Sequence, residues 1–204
     1  SHLARSHDLA QRLGFDPKRV HLGGVSAGGN LVAAVAAVMV QESLDFRTAV
    51  QSVYVQEPML NPTMDTDSYI ENADARIDPI SWLAWCWKVY LRDVPGGPQE
   101  ARSDIRICPQ CNPPSPANGH LPPQLVVTSL GDPLRDDGRE YVRAMQKAGG
   151  EVTHIEARGS HVLSLKFDRA HAEAVYEAWV KLISPARSAS EMCALRISGR
   201  ISNS

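Results

Sequence analysis

Apolar positions recur along the chain with two periods, one helical and one of strands. Leu3, Leu9, Ala10 and Leu13 lie at helical spacing, so residues 3–13 are expected to form an amphipathic helix ended by Gly14. Asp16-Pro17-Lys18 reads as a turn. Residues 19–22 are a short apolar run, expected to break at Gly23-Gly24. Residues 27–40 are rich in Ala and Val and apolar on nearly every face, the pattern of a buried helix. Residues 50–55 read as a strand closed by Pro58. Strand, helix and strand in alternation predict an α/β fold with a mostly parallel sheet and crossover helices.

The rhythm breaks after residue 59. Residues 61–67 are loop-like, and Asp78-Pro79 opens a helix through Trp82, Trp85 and Val89. Eight of the 14 prolines fall within 95–123, which is therefore expected to be irregular. Regular structure then resumes. Strands are expected over 125–129 and 151–157, and helices over 139–148 and 168–183. Residues 186–204 are Ser- and Arg-rich with little periodicity, which suggests an irregular tail. The chain thus divides into a domain over 1–185, with an insertion at about 59–105, and that tail.

Composition narrows the function classes. The chain has 204 residues, 43% hydrophobic, with a formal net charge of -2. No basic footprint points to nucleic acid. The longest apolar run, residues 31–40, is too short to span a bilayer, which takes about 20 residues. No secretory leader is visible, so a cytoplasmic location is expected. Four cysteines are too few for a disulfide scaffold. Cys108-Pro109-Gln110-Cys111 is a lone C-x-x-C without a second pair and reads as incidental loop cysteines, with zinc as the rival reading.

Gly24-Val25-Ser26-Ala27-Gly28 matches G-x-S-x-G between an expected strand and an expected helix. That is the setting of a nucleophile elbow. A sharp turn lifts the Ser26 hydroxyl to the carboxyl edge of the sheet, and the flanking residues must be small. The Ala27 N–H at the helix start is a candidate oxyanion donor. A serine needs a base, and the base needs an orienting carboxylate. Asp132 and His161 each follow an expected strand, in the chain order Ser, Asp, His. Asp136 and Asp137 read instead as caps of the next helix. His2, His7, His21, His120, His154 and His171 compete with His161 but lie away from strand ends or before the elbow.

These residues resemble the hormone-sensitive-lipase-like branch of the α/β-hydrolases. The resemblance rests on Gly24–Asn30, Leu121-Pro122-Pro123, Asp132-Pro133-Leu134-Arg135-Asp136-Asp137-Gly138 with Tyr141, and Gly159-Ser160-His161. It implies a carboxylesterase that acts on small-molecule esters through Ser26, Asp132 and His161, with no cofactor and no metal. The insertion would form a lid, in which Trp82, Trp85 and Trp87 either line an acyl pocket or pack the lid onto the body. Leu163 stands where the family commonly has an aromatic and is a further pocket candidate. The family's upstream His-Gly-Gly-Gly oxyanion motif is absent from these 204 residues. An N-terminally truncated chain with impaired activity is therefore expected. The alternatives are a hydrolase-like binder without turnover and an inactive fragment. Oligomeric state is not legible.

Overall fold

The computed structural model describes residues 2–16, 19–42, 50–115 and 121–184. Four apolar runs become four parallel strands: β1 (Val20–Val25), β2 (Val50–Gln56), β3 (Gln124–Ser129) and β4 (Val152–Ala157). They pair in chain order, β1-β2-β3-β4. Leu22 lies beside Val53, Val55 beside Val126, and Val127 beside Ile155. All four carboxyl ends therefore reach the same edge. The expected break at Gly23-Gly24 does not occur. Both glycines stay in β1, because parallel pairing with Tyr54 and Val55 satisfies their backbone.

Helix α1 (His2–Leu13) precedes β1, and α2 (Ala27–Gln41) crosses from β1 to β2. The next segment carries three short elements, α3 (Asp67–Glu71), α4 (Ile80–Tyr90) and α5 (Gly97–Ala101). α6 (Arg135–Lys147) links β3 to β4, and α7 (Ser164–Phe167) and α8 (Arg169–Ile183) follow. α3, α5 and α7 were not legible as periodic runs, because each is a turn or so long. α6 begins four residues earlier than its apolar period suggests. Asp136 and Asp137 occupy its first turn, where acidic groups favour the helix dipole. The expected tail over 186–204 lies outside the described residues.

The two inner strands, β2 and β3, are buried from both sides, as is usual for parallel strands. Alternate side chains of each strand divide between two cores. Val53, Val55 and Val126 join Ala33, Ala36 and Met39 of α2 and Tyr141, Val142 and Met145 of α6. Leu125 and Val127 join Val175 of α8 on the opposite face, with Tyr54 and Ile155 at the rim. A third cluster belongs to the segment between β2 and β3. Met59, Tyr69, Leu83, Trp87, Leu91, Ala101 and Ile107 pack there around Leu134. α2 is less enclosed than expected. Leu31 and Val35 are exposed, because only the Ala33, Ala36 and Met39 side meets the sheet.

Candidate active site

The elbow is built as backbone crowding demands. Ser26 sits between β1 and α2 at φ 58°, ψ -122°, a conformation uncommon for a residue with a side chain. Its N–H donates to Gln56 O at 2.9 Å, and its carbonyl accepts from Asn30 N and Met59 N, both at 3.2 Å. A Cβ on Gly24 would come within 2.1 Å of the Gly28 carbonyl oxygen, so this glycine is required. Gly28 itself has open space around such an atom. The glycine on the helix side that is pressed is Gly29, whose added Cβ would meet Pro58 Cβ at 3.0 Å.

The acidic block after β3 divides its labour residue by residue. Asp132 is fully buried, and its Oδ1 accepts the Leu134 N–H at 2.8 Å. Leu134 fills the centre of the third core. Arg135 bridges Asp136 at 3.0 Å and Glu71 of α3 at 2.8 Å. Asp136 accepts the Ser68 N–H at 3.0 Å. Asp137 corrects the expectation of a simple helix cap. It is fully buried, and its Oδ2 accepts from Leu60 N, Asn61 N and Tyr69 Oη at 2.8–2.9 Å. Burial pushes its carboxyl up to about 8, although these donors pull the other way. Gly138 must be glycine, since a Cβ there would lie 2.4 Å from Thr128 Cγ2.

His161 and Asp132 meet below this block. His161 Nδ1 lies 2.8 Å from Asp132 Oδ2, with both side chains buried. Burial alone would lower the imidazole's pKa. The Asp132 hydrogen bond, and then the charges of Asp132, Glu57 and Asp78, outweigh that and raise it above 6.5. The other histidines with described side chains have partners elsewhere. His21 meets Ser52, His154 meets Thr128, and His171 meets Asp168 at the start of α8. His120 lies outside the described residues.

Two acidic residues at the site carried no sequence signal strong enough to single them out. Glu57 follows β2 directly, before Pro58. It is fully buried, and its Oε2 lies 3.9 Å from His161 Nδ1. Asp78, just ahead of α4, places Oδ2 3.1 Å from His161 Nε2. No hydrogen bond joins Ser26 Oγ to His161 among the described residues, and Nε2 faces Asp78 instead. Ser26, Glu57, Asp78 and Val162 all have positive φ, from 45° to 58°. Met64 is the one other described non-glycine residue with positive φ. Three of these, Glu57, Asp78 and Val162, adjoin His161, so backbone strain gathers beside the imidazole.

An apolar cavity of about 190 Å³ opens beside the elbow, lined by Ala27, Asn30, Leu31, Met59, Cys86, Trp87 and Tyr90. Of the three tryptophans considered, Trp87 reaches it. Trp82 and Trp85 are about half exposed and stack on each other, ring centres 4.8 Å apart. Neither is among the residues that line this cavity. On α4 they fall on the side opposite buried Leu83 and Trp87. Leu163 is half-buried and not among the lining residues. Cys108 and Cys111 are bonded to each other, which corrects the incidental reading. The turn between them brings their Cα atoms to 5.4 Å, within disulfide reach.

Comparison with known proteins agrees with this architecture. The sequence profile described as alpha/beta hydrolase fold matches residues 2–163. The chain belongs to that family, in its hormone-sensitive-lipase-like branch. Rat arylacetamide deacetylase (Rattus norvegicus) is 27% identical over 196 residues, covering 72% of this chain and 49% of its own. Carboxylesterase NlhH of Mycobacterium tuberculosis is 35% identical over 148 residues, covering 70% and 42%. Among solved structures, a bacterial heroin esterase superposes with a TM-score of 0.73 at 28% identity, covering 89% of this chain and 56% of its own. The metagenomic carboxylesterase EstE1 gives 0.70 at 30%, covering 90% and 62%. The chain spans about half the length of the curated relatives it matches. No helix among the described residues is long and apolar enough to cross a membrane.

Proposed function

We propose that this chain carries the catalytic side chains of a serine hydrolase of small-molecule carboxylic esters. The observation that supports it most is the buried Asp132–His161 hydrogen bond of 2.8 Å, on the same sheet edge as the strained Ser26. In this reading Ser26 Oγ attacks the ester carbonyl as His161 Nε2 takes its proton. Asp132 fixes the Nδ1–H tautomer and stabilises the imidazolium. The Ala27 N–H, at the start of α2, stabilises the oxyanion. The alcohol leaves with the proton from His161, and water then cleaves the acyl-enzyme. The cavity lined by Met59, Trp87 and Tyr90 suits an apolar acyl group.

For Ser26 to transfer its proton, Nε2 must give up Asp78. That contact favours a second reading, a ligand-binding hydrolase relative without turnover. Hydrolysis of a short-chain p-nitrophenyl ester separates the two. The hydrolase reading expects release above background that disappears in Ser26→Ala. Equal release by the folded Ser26→Ala variant would overturn it.

A further inference from the structure

Each of the four parallel strands is followed at one edge by a residue that reaches the site. Ser26 follows β1, Asp132 follows β3, and His161 follows β4. The residue that follows β2 is Glu57, to which the mechanism above gives no role. Its carboxyl oxygens are met by hydrogen-bond donors from three residues. Oε2 accepts the Val162 N–H at 2.6 Å and the Gln56 side-chain amide at 3.3 Å. Oε1 accepts the Ser129 hydroxyl. A buried charge is costly unless so satisfied, and a plain filler of this space would be apolar.

We propose that Glu57 is a positioning residue for the site: its carboxylate clamps the loop that carries His161 through the Val162 N–H, and backs the imidazole with a second negative charge beside Asp132. The catalytic meaning of this role rests on the hydrolase reading. The clamp acts one residue from the base, across the chain from 57 to 162. Val162 has a φ of 52° and Glu57 one of 45°, so neither backbone relaxes to this pairing without a constraint. Three carboxylates face the imidazole, and each does something different. Asp132 orients Nδ1, Asp78 meets Nε2, and Glu57 stands 3.9 Å behind Nδ1 without replacing the Asp132 bond. A network extends outward from it. Tyr54 Oη donates to Gln56 Oε1 at 2.6 Å, and Gln56 Nε2 reaches Glu57. Burial and then the Glu57 charge push the Tyr54 hydroxyl up to about 12, so that it stays a donor.

The test uses the full 204-residue chain and reads His161 directly by ¹⁵N-edited NMR of the imidazoles, assigned with His161→Asn. Glu57→Gln keeps the shape and an acceptor oxygen but drops the charge. The titration midpoint of His161 is expected to fall by about 1–3 units, the effect of losing an opposite charge at this range. The pH dependence of Ser26 phosphonylation by a fluorophosphonate is expected to move down with it. A midpoint unchanged in the folded variant would overturn the proposal. If Glu57→Gln does not fold, the unmodified chain still decides. The Val162 amide should exchange slowly with solvent and resonate downfield as a donor to a carboxylate, and exchange as fast as an exposed loop amide would overturn the clamp. A midpoint that shifts while Ser26 never reacts supports the role of Glu57 and defeats the hydrolase reading. The converse pair of results defeats Glu57 alone.

Discussion

Single residues in this protein explain why a short motif is spelled as it is. Gly24 is set by the Gly28 carbonyl that would occupy its Cβ. Gly24→Ala should therefore lower stability by about 1–3 kcal/mol, read as a shift in urea midpoint. An unshifted midpoint would mean the elbow relaxes freely. Asp78 faces the atom that must accept the serine proton. Its charge helps raise the His161 pKa above 6.5, so the protonated, unreactive imidazole persists to higher pH. Asp78→Asn should shift the acid limb of Ser26 phosphonylation to lower pH and speed the reaction at pH 6. A limb that stays in place would show that Asp78 does not engage the base. Asp137 supplies a pH test of stability. Its folded-state pKa lies above the unfolded value, so folding takes up a proton between them and stability falls as pH rises through that window. Between pH 5 and pH 8 the parent chain should lose more stability than Asp137→Asn. Equal losses would mean that Asp137 does not carry this slope.

At the scale of elements, the strands and long helices were legible because each buries a regular face. The runs over 50–55, 125–129 and 151–157 each appear in the fold within a residue of where alternation puts them. The fate of α4 was not legible. Its composition is so aromatic that no single apolar stripe stands out, and only tertiary packing decides which tryptophan is buried. The structure turns Leu83 and Trp87 inward and leaves Trp82 and Trp85 outside. Trp87→Ala is expected to cost about 3–5 kcal/mol, and Trp82→Ala less than about 1 kcal/mol. Similar losses in thermal unfolding would reverse the orientation of this helix.

For the molecule as a whole, chain order carried most of the candidate site. Ser26, Asp132 and His161 could be singled out because each follows a strand or its turn, and parallel strands end at one edge. Glu57 occupies the equivalent place after β2, but Glu-Pro has no chemical signature of its own, and its burial comes from contacts 72 and 105 residues away. Asp78 reaches the imidazole from outside the sheet, a meeting that strand order could not foretell. The Cys108–Cys111 bond was missed for a similar reason, since a turn of that shape has no periodic pattern. The central claim is that these side chains form one reacting unit. Its most direct measurement is the intact mass and peptide map after treatment with a fluorophosphonate. The account predicts a single adduct on Ser26, lost in Ser26→Ala and slowed at least about 100-fold in His161→Ala. An adduct elsewhere, or an equal rate in the folded His161→Ala variant, would contradict it.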